Sequence, residues 1–236
     1  MSSATPPRIY KVKDLAGDER FEGIHPNLPE CPSCCILVGA IKSSKSNLII
    51  NMLCSKEMYL DRFEIVRVMS TTLHMDNKGK LMDKYFDCDD HYEDKFIDDI
   101  IESQGKFSKE DRPTYCLVLD DCLTADFCKR NNKLAFFMTK MRHYIDMCII
   151  SVQSLNHIPA LIRGQARDII IARQNNYKEV VNNLVVYWVK TVIKSSWNYM
   201  NIVIKNRFNL CTLKGLRIRL RYFIILKNVS INQEIN

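Results

Sequence analysis

One eight-residue stretch constrains this chain more than any other, because its spacing matches a loop that wraps around phosphate groups. The pattern of such a loop is G-x-x-x-x-G-K-[ST], in which backbone N–H groups surround the phosphates. The lysine of the pattern reaches the β- and γ-phosphates, and the hydroxyl that follows it helps to bind Mg²⁺. The stretch predicts a nucleotide site, and it reads Gly39-Ala40-Ile41-Lys42-Ser43-Ser44-Lys45-Ser46.

Ser44 stands where the pattern has its second glycine, and this leaves two interpretations open. Glycine lets the backbone approach the phosphate and adopt dihedral angles that side chains disfavour, so serine costs about 1–2 kcal/mol in such a conformation. That cost could weaken nucleotide binding without abolishing it. The chain is therefore either an active nucleotide-hydrolysing enzyme or a catalytically impaired derivative of one.

The residues around the loop predict the strand–loop–helix context that a phosphate-binding loop needs. An apolar run from Cys34 to Val38 precedes it, and residues 45–54 carry apolar side chains at helical spacing. Further strands are predicted at residues 63–69, 115–119, 147–152 and 168–172, and helices within the acidic residues 83–102 and at 133–144. Strands that alternate with helices predict an α/β three-layer sandwich of the P-loop NTPase type, with about five core strands in a mainly parallel sheet.

Length and composition fit one such domain of 236 residues, flanked by two segments of different character. Residues 1–33 are rich in proline and predicted to be irregular, and residues 34–175 form the predicted ATPase core. Residues 176–236 form a basic C-terminal extension, in which added strands are one interpretation. No run approaches the roughly 18 apolar residues of a membrane span. The ten cysteines, without a secretory signal, indicate reduced thiols in the cytosol or nucleus.

The positive charge of the chain is concentrated in the C-terminal extension. From Lys190 to Asn236 there are nine Lys/Arg residues and one acid, a net charge of +8, against +7 for the whole chain. As a strand, residues 216–222 would line one face with Arg217, Arg219 and Arg221, which predicts contact with DNA phosphates. The alternatives are an edge strand whose arginines prevent aggregation, or a divergent end without a role.

Polar residues follow two of the predicted strands at the edge where α/β sheets bind ligands. Asp120 and Asp121 end the strand at 115–119, and Gln153 ends the strand at 147–152. A carboxylate at this edge can hold Mg²⁺, and a second carboxylate beside it can deprotonate an attacking water. An amide on the neighbouring strand can sense the γ-phosphate or orient that water. Each could instead simply close its strand.

Taken in order, these motifs resemble the genome-packaging ATPases of poxviruses and related large DNA viruses, which belong to the FtsK/HerA class of P-loop motors. The similarity covers roughly residues 34–173, and we recognise nothing of the family after about residue 175. It implies an ATP-driven ring, a hexamer in the family, that moves double-stranded DNA into a capsid. The segments that carry it are the loop, Leu117-Val118-Leu119-Asp120-Asp121, Met141-Arg142-His143, Ser151-Val152-Gln153 and Ile158-Pro159-Ala160-Leu161-Ile162-Arg163.

The resemblance also implies roles for single residues and a setting for the protein. It assigns Asp120, with Ser46, to Mg²⁺, Asp121 to the catalytic base and Gln153 to the sensor. Arg142 and Arg163 become candidates to reach a neighbouring subunit's nucleotide, although each could be an ordinary surface arginine. The implied location is the cytoplasm, in a viral factory or virion, or the nucleus for an integrated viral gene, with capsid proteins as possible partners.

A second hypothesis from a different class follows from Ser44 and the unmatched basic extension. The chain could be a nucleotide-free DNA-binding or ring-assembly subunit derived from such a motor. A small-molecule kinase of the P-loop class is disfavoured, because no substrate-binding lid is evident in the sequence.

Overall fold

A parallel sheet built from the apolar runs forms the centre of the fold. The computed structural model describes residues 19–24, 28–75, 77–122 and 132–172. The strands are Ser33–Val38 (β1), Ile65–Ser70 (β2), Asp87–Asp89 (β3), Tyr115–Asp120 (β4), Met147–Val152 (β5) and Asp168–Ile171 (β6). The helices of these ranges are Lys45–Cys54 (α1), Asn77–Tyr85 (α2), Lys95–Gln104 (α3), Lys133–Lys140 (α4) and Ala160–Gln165 (α5).

The strand order brings the predicted site residues to neighbouring strand ends. The six strands lie in the order β3-β2-β4-β5-β1-β6, and every pairing between them is parallel. Val38 of β1 lies opposite Val152 of β5, and Asp120 of β4 lies opposite Ser151 of β5. Because the strands are parallel, their carboxyl ends share one edge of the sheet, and the loop after β1 lies beside the ends of β5 and β4.

Two apolar layers cover the sheet, one on each face. Alternate residues of each strand point to opposite faces, so Leu37, Val118 and Ile149 pack toward α1 and α2. The intervening residues, such as Ile36 and Ile150, pack toward α3, α4 and α5. Burial on both faces explains why the central strands are almost continuously apolar in sequence.

The structure confirms the predicted α/β class and adds detail that the pattern lacks. The helix at 45–54 and the strand at 147–152 are confirmed with unchanged bounds, and the other predicted strands shift by one or two residues at their ends. The acidic region holds the predicted helix as α3, but also the end of α2 and the short strand β3, which makes six strands instead of five. Residues 133–144 are an α-helix only to Lys140, and a 3-10 turn over Met141–His143 follows.

A buried ion pair joins the amino ends of the strands. Asp146, which precedes β5, accepts hydrogen bonds from the Arg112 guanidinium at 3.0 Å and from the Tyr115 N–H at 2.9 Å. Arg20 adds a second guanidinium 3.5 Å from the same carboxylate. Because Arg112 and Asp146 are both buried, removing Asp146 would leave the buried Arg112 guanidinium without its carboxylate. The pair fixes the edge of the sheet opposite to the predicted site.

The sequence composition raised two questions, whether a helix spans a membrane and whether the cysteines are reduced, and the described ranges bear on both. In the described ranges no helix is long and apolar enough to cross a membrane. The eight cysteines of those ranges are free thiols, and burial raises the pKa of Cys116 and of Cys122, the latter to about 12. Buried thiols of this kind behave as small apolar side chains.

Candidate nucleotide site

The loop after β1 adopts a closed turn that is tied to the neighbouring strand. The Gly39 N–H donates to the Val152 carbonyl at 3.0 Å, and the Ser43 N–H donates to the Ala40 carbonyl at 3.1 Å. Helix α1 begins at Lys45, directly after the turn, as the motif requires. The loop residues other than Gly39 and Lys45 are partly or fully exposed, and Ile41 is 70% exposed. The sequence prediction of a strand, a loop and a helix in this order is confirmed.

Gly39 is required at its position by the space around it. A Cβ atom on Gly39 would lie 2.3 Å from the Ser43 Oγ atom and 2.8 Å from the Ala172 Cβ atom. Both distances are far below van der Waals contact, so any side chain here would displace the loop or the end of β6. The first glycine of the motif is therefore present because nothing larger fits.

Ser44 takes the conformation that glycine takes in the motif. Its φ of 68° and ψ of 23° lie in the left-handed region, and Lys42 has a φ of 61°. Non-glycine residues pay about 1–2 kcal/mol for this conformation, so the loop geometry is reached at a cost in stability. The Ser44 side chain makes no capping hydrogen bond to α1. The first N–H groups of the helix are thus left to an external acceptor, such as phosphate.

Replacing Ser44 by glycine is expected to raise the free energy of unfolding by about 0.5–1 kcal/mol, because relief of strain exceeds the added entropy of the unfolded chain. Urea denaturation of the full chain measures this change. Ser55→Gly is the matched control, since Ser55 has an ordinary φ of −93° and glycine there should lower stability. A Ser44→Gly variant that is less stable than the wild type would contradict the strain assigned to this residue.

The Lys45 side chain is buried, and its ammonium group donates hydrogen bonds to carbonyl groups of the loop. The side chain is 6% exposed, and its Nζ atom donates to the Gly39 carbonyl at 2.9 Å and to the Ala40 carbonyl at 3.4 Å. An ammonium group held by backbone carbonyls alone has no anionic partner in that contact. It can therefore exchange these acceptors for phosphate oxygens, which offer a full negative charge.

Ser46 and Asp120, 74 residues apart in sequence, meet at the start of α1. The Ser46 Oγ atom donates to Asp120 Oδ2 at 2.9 Å, and Asp120 is 2% exposed. The other carboxylate oxygen, Oδ1, is buried and has no hydrogen-bond partner among the described residues. One hydroxyl and one carboxylate with an unsatisfied oxygen fit Mg²⁺, which usually binds one or two carboxylates together with waters and substrate phosphates. The described residues contain no cluster of three or more acidic, His or Cys ligands, so they offer no all-protein cage.

Asp121 is held in a strained backbone conformation between two strands. Its φ is 51°, its N–H donates to the Ser151 carbonyl at 3.2 Å, and its carbonyl accepts from the Thr71 Oγ1 atom at 2.9 Å. Burial raises the pKa of the Asp121 carboxyl, Lys45 opposes this rise, and Asp120 adds to it. A carboxylate with a raised pKa is a better proton acceptor, which suits a general base.

Gln153 comes directly after β5 and is exposed. Since β5 lies between β4 and β1, Gln153 leaves the sheet at the edge where Asp120 and Gly39 also stand. The predicted neighbourhood of these three residues is thus supported by the strand order. Its role as a sensor stays a prediction.

The two candidate arginines lie apart from this group. Arg142 is exposed in the 3-10 turn before β5, at the amino edge of the sheet, about 20 Å along a six-residue strand from the loop. Arg163 is half-buried on α5, and its Nε atom is buried without a hydrogen-bond partner. Within the described part of the chain neither guanidinium contacts the loop or the acid pair. Arg217, Arg219 and Arg221 lie outside the described residues.

Thr71 and Ser151 contact the site residues but are not among the site residues predicted from the sequence. Both stand at the carboxyl ends of apolar strands, Thr71 just after β2 and Ser151 on β5. A hydroxyl residue at such an end is a weak signal, because serine and threonine also terminate strands without any functional role. Only the register and the hydrogen bonds identify these two.

Comparison with solved structures finds proteins of similar fold at low sequence identity. The cytoplasmic domain of EssC aligns with a TM-score of 0.50 and 12% identity over 65% of this chain. The chain covers only 35% of that protein's length. EssC (ATPases 2 and 3) from Geobacillus thermodenitrificans aligns with a TM-score of 0.49 and 13% identity, over 64% of this chain and 34% of that chain.

A third similar structure is the genome packaging NTPase B204 from Sulfolobus turreted icosahedral virus 2, in complex with ATP-gammaS. It aligns with a TM-score of 0.47 and 17% identity, over 75% of this chain and 90% of that chain. No protein-family model and no curated protein sequence matches the chain. The six-stranded parallel sheet with its loop and helices, together with the likeness to the EssC domain, shows the P-loop NTPase fold.

Proposed function

We propose that this protein is a Mg²⁺-dependent ATPase that acts as a DNA-translocating motor. The observation that carries the proposal is the meeting of Ser46 with Asp120 at 2.9 Å beside the buried Lys45, at the mouth of a closed phosphate-binding loop. Two segments of sequence, 74 residues apart, contribute to this one small volume. Their chemistry is that of a nucleotide phosphate site.

The loop residues bind and orient the nucleotide in this proposal. Backbone N–H groups of residues 39–46 surround the phosphates, and the Lys45 ammonium leaves its carbonyl acceptors for the β- and γ-phosphate oxygens. Ser46 and Asp120 hold Mg²⁺, which, when bound, neutralises charge on the transferring phosphoryl group. Mg²⁺ would then be the partner of Asp120 Oδ1, which has no hydrogen bond among the described residues.

Asp121 and Gln153 act on the water that attacks the γ-phosphorus. The Gln153 amide orients the water, and Asp121 accepts its proton as the new O–P bond forms. The bond between the γ-phosphorus and the bridging oxygen breaks, which releases ADP and inorganic phosphate. The raised pKa of Asp121 matches it to the role of proton acceptor.

Assembly into a ring supplies the arginine that the described residues do not bring to the site. A guanidinium from a neighbouring subunit stabilises the charge of the transition state and makes hydrolysis depend on assembly. Arg163 is preferred over Arg142, because its buried Nε atom has no hydrogen-bond partner among the described residues. The motif resemblance to packaging motors favours a hexamer.

Double-stranded DNA is the proposed track, and the C-terminal extension is its proposed contact. The net charge of +8 in residues 190–236 suits binding to phosphates without reading sequence. The resemblance of the motifs extends the proposal to packaging into a capsid, with capsid proteins as partners. The corresponding location is a viral factory or virion in the cytoplasm, or the nucleus for an integrated gene.

Double-stranded DNA is expected to stimulate ATP hydrolysis by the full chain, and a triple Arg217→Gln, Arg219→Gln, Arg221→Gln variant should lose most of that stimulation. The plot of log affinity against log salt has a negative slope, and each lost phosphate contact makes that slope less steep by about 0.9. The slope of the triple variant should therefore be less steep by about 2–3. Fluorescence anisotropy at several salt concentrations measures the slope. The matched triple Arg→Lys variant keeps the charge and should bind DNA nearly as the wild type does. Equal slopes for the wild type and the Gln variant would contradict the assigned contact.

A nucleotide-free DNA-binding or ring-assembly subunit remains the second candidate, because Ser44 pays a conformational cost in the loop. The two candidates differ in one measurable property, the affinity for Mg-ATP. Micromolar binding by calorimetry would exclude the nucleotide-free version.

A further inference from the structure

Three polar residues form a row across neighbouring strands beneath the start of α1. Ser70 of β2 pairs in register with Asp120 of β4, which pairs with Ser151 of β5. All three are at most 2% exposed. Strand alternation puts them on the sheet face that Val118 and Ile149 share with α1 and α2. The row therefore lies on the side of the sheet from which Ser46 reaches Asp120.

Two atoms of this row are buried without a hydrogen bond to any residue that the structure describes, and they stand on adjacent strands. They are Asp120 Oδ1 and the Ser151 Oγ atom. The Ser70 hydroxyl differs, because it lies 3.2 Å from the Thr72 hydroxyl and has a partner. On the other side of Ser151 the register neighbour is the apolar Leu37. Asp120 is therefore the polar cross-strand neighbour of the Ser151 hydroxyl.

Leaving two neighbouring polar atoms unsatisfied is expensive for a folded protein. Each buried polar atom without a partner costs about 1–3 kcal/mol, and most such atoms in folded proteins do have one. Neither a helix end nor an exposed loop explains them here, since both residues belong to central strands. A polar ligand shared by both oxygens would satisfy them together.

We propose that Ser151 is a positioning residue of the magnesium site, acting on a water of the hydrated ion that Asp120 binds. This inference rests on the proposed function. Mg²⁺ keeps several of its waters when it binds to proteins, and each such water needs an acceptor. The Ser151 hydroxyl would accept from a water of the ion that Asp120 Oδ1 binds, so that one hydrated ion satisfies both buried oxygens. Outer contacts of this kind change metal affinity about 10–100-fold when removed.

The test is a calorimetric cycle in which ADP is titrated into the full chain with and without Mg²⁺. For Ser151→Ala we expect the gain in ADP affinity from Mg²⁺ to fall about tenfold, while the metal-free affinity stays unchanged. Ser33→Ala is the matched control. Ser33 is a buried serine on the neighbouring β1, but its hydroxyl donates to Asp168 at 2.8 Å, at the opposite edge of the sheet. This control should keep the full effect of Mg²⁺.

The possible outcomes separate this inference from the function on which it rests. A wild type and a Ser151→Ala variant with the same Mg²⁺-dependent gain would overturn the role of Ser151 and leave the ATPase proposal intact. An equal loss of ADP affinity with and without Mg²⁺ would also overturn it, since that pattern reports a general disturbance of the loop. A wild type that binds no ADP under either condition would overturn the proposed function and this inference together.

Discussion

Replacing Lys45 by alanine is expected to abolish ATP hydrolysis, lowering kcat/KM by about 1,000-fold or more. The ammonium is buried in the loop and donates hydrogen bonds to the Gly39 and Ala40 carbonyls, which it can exchange for phosphate oxygens. Alanine leaves the β- and γ-phosphates without the cation that Lys45 would supply. Phosphate release from ATP by the full chain, with Mg²⁺ and double-stranded DNA present, measures the effect.

The control for this variant is Lys56→Ala, which removes a lysine of the same type two residues after the end of α1. Lys56 is exposed and belongs to no part of the proposed site. Its replacement should leave hydrolysis within about twofold of the wild type, as ordinary surface substitutions do. Hydrolysis that survives Lys45→Ala would refute the assignment of the loop as the site of phosphate binding.

Replacing Asp121 by asparagine is expected to lower kcat by about 1,000-fold while the affinity for Mg-ATP changes only a few-fold. The amide keeps the shape of the side chain but cannot accept the proton of the attacking water, and general-base catalysis supplies about 100–10,000-fold. Asparagine also tolerates the left-handed conformation that Asp121 adopts, with a φ of 51°. Single-turnover hydrolysis and nucleotide titration on the same preparation separate the two effects.

The same variant has a signature in stability that depends on pH. Because burial raises the pKa of Asp121 in the folded protein, the folded state disfavours the charged carboxylate. Asp121→Asn should therefore be more stable than the wild type at neutral pH. The difference should shrink as the pH falls through the raised pKa and should vanish below the ordinary value of 3.8, where the wild type is protonated in both states.

Asp61 provides the matched control for Asp121. It is an exposed aspartate with a φ of 60°, so it shares the backbone conformation but lies outside the site. Asp61→Asn should leave kcat unchanged and show no gain in stability at neutral pH. If Asp121→Asn retained wild-type turnover, Asp121 could not be the base, and the proton would have to go to another group.

The loop and its flanking elements were predictable from sequence because their signals are local. Glycine at position 39 reflects a space in which no Cβ fits, and the strand before it is apolar because both of its faces are buried. The helix that starts at Lys45 shows the spacing of a buried face in its own ten residues. Each of these constraints acts over a few neighbouring residues, so a single sequence displays them.

The elements that were missed depend on contacts between distant segments. Strand β3 contains two aspartates in its three residues and pairs with β2, where Arg67 donates to Asp89 at 3.1 Å. Helix α2 contains a buried glycine, Gly79, and buries few residues, so its apolar pattern is weak. The row of Ser70, Asp120 and Ser151 exists only through the register of three strands. No local pattern in the chain encodes these pairings.

The affinity of the unmodified chain for Mg-ATP shows directly whether residues 39–46 bind the phosphates of a nucleotide. Isothermal titration calorimetry on the full chain, with a non-hydrolysable ATP analogue and Mg²⁺, asks whether a loop with serine at position 44 forms a working phosphate site. We expect binding in the micromolar range that Lys45→Ala removes and Lys56→Ala does not. An absence of binding at millimolar analogue, by a chain that is folded in the same buffer, would contradict it.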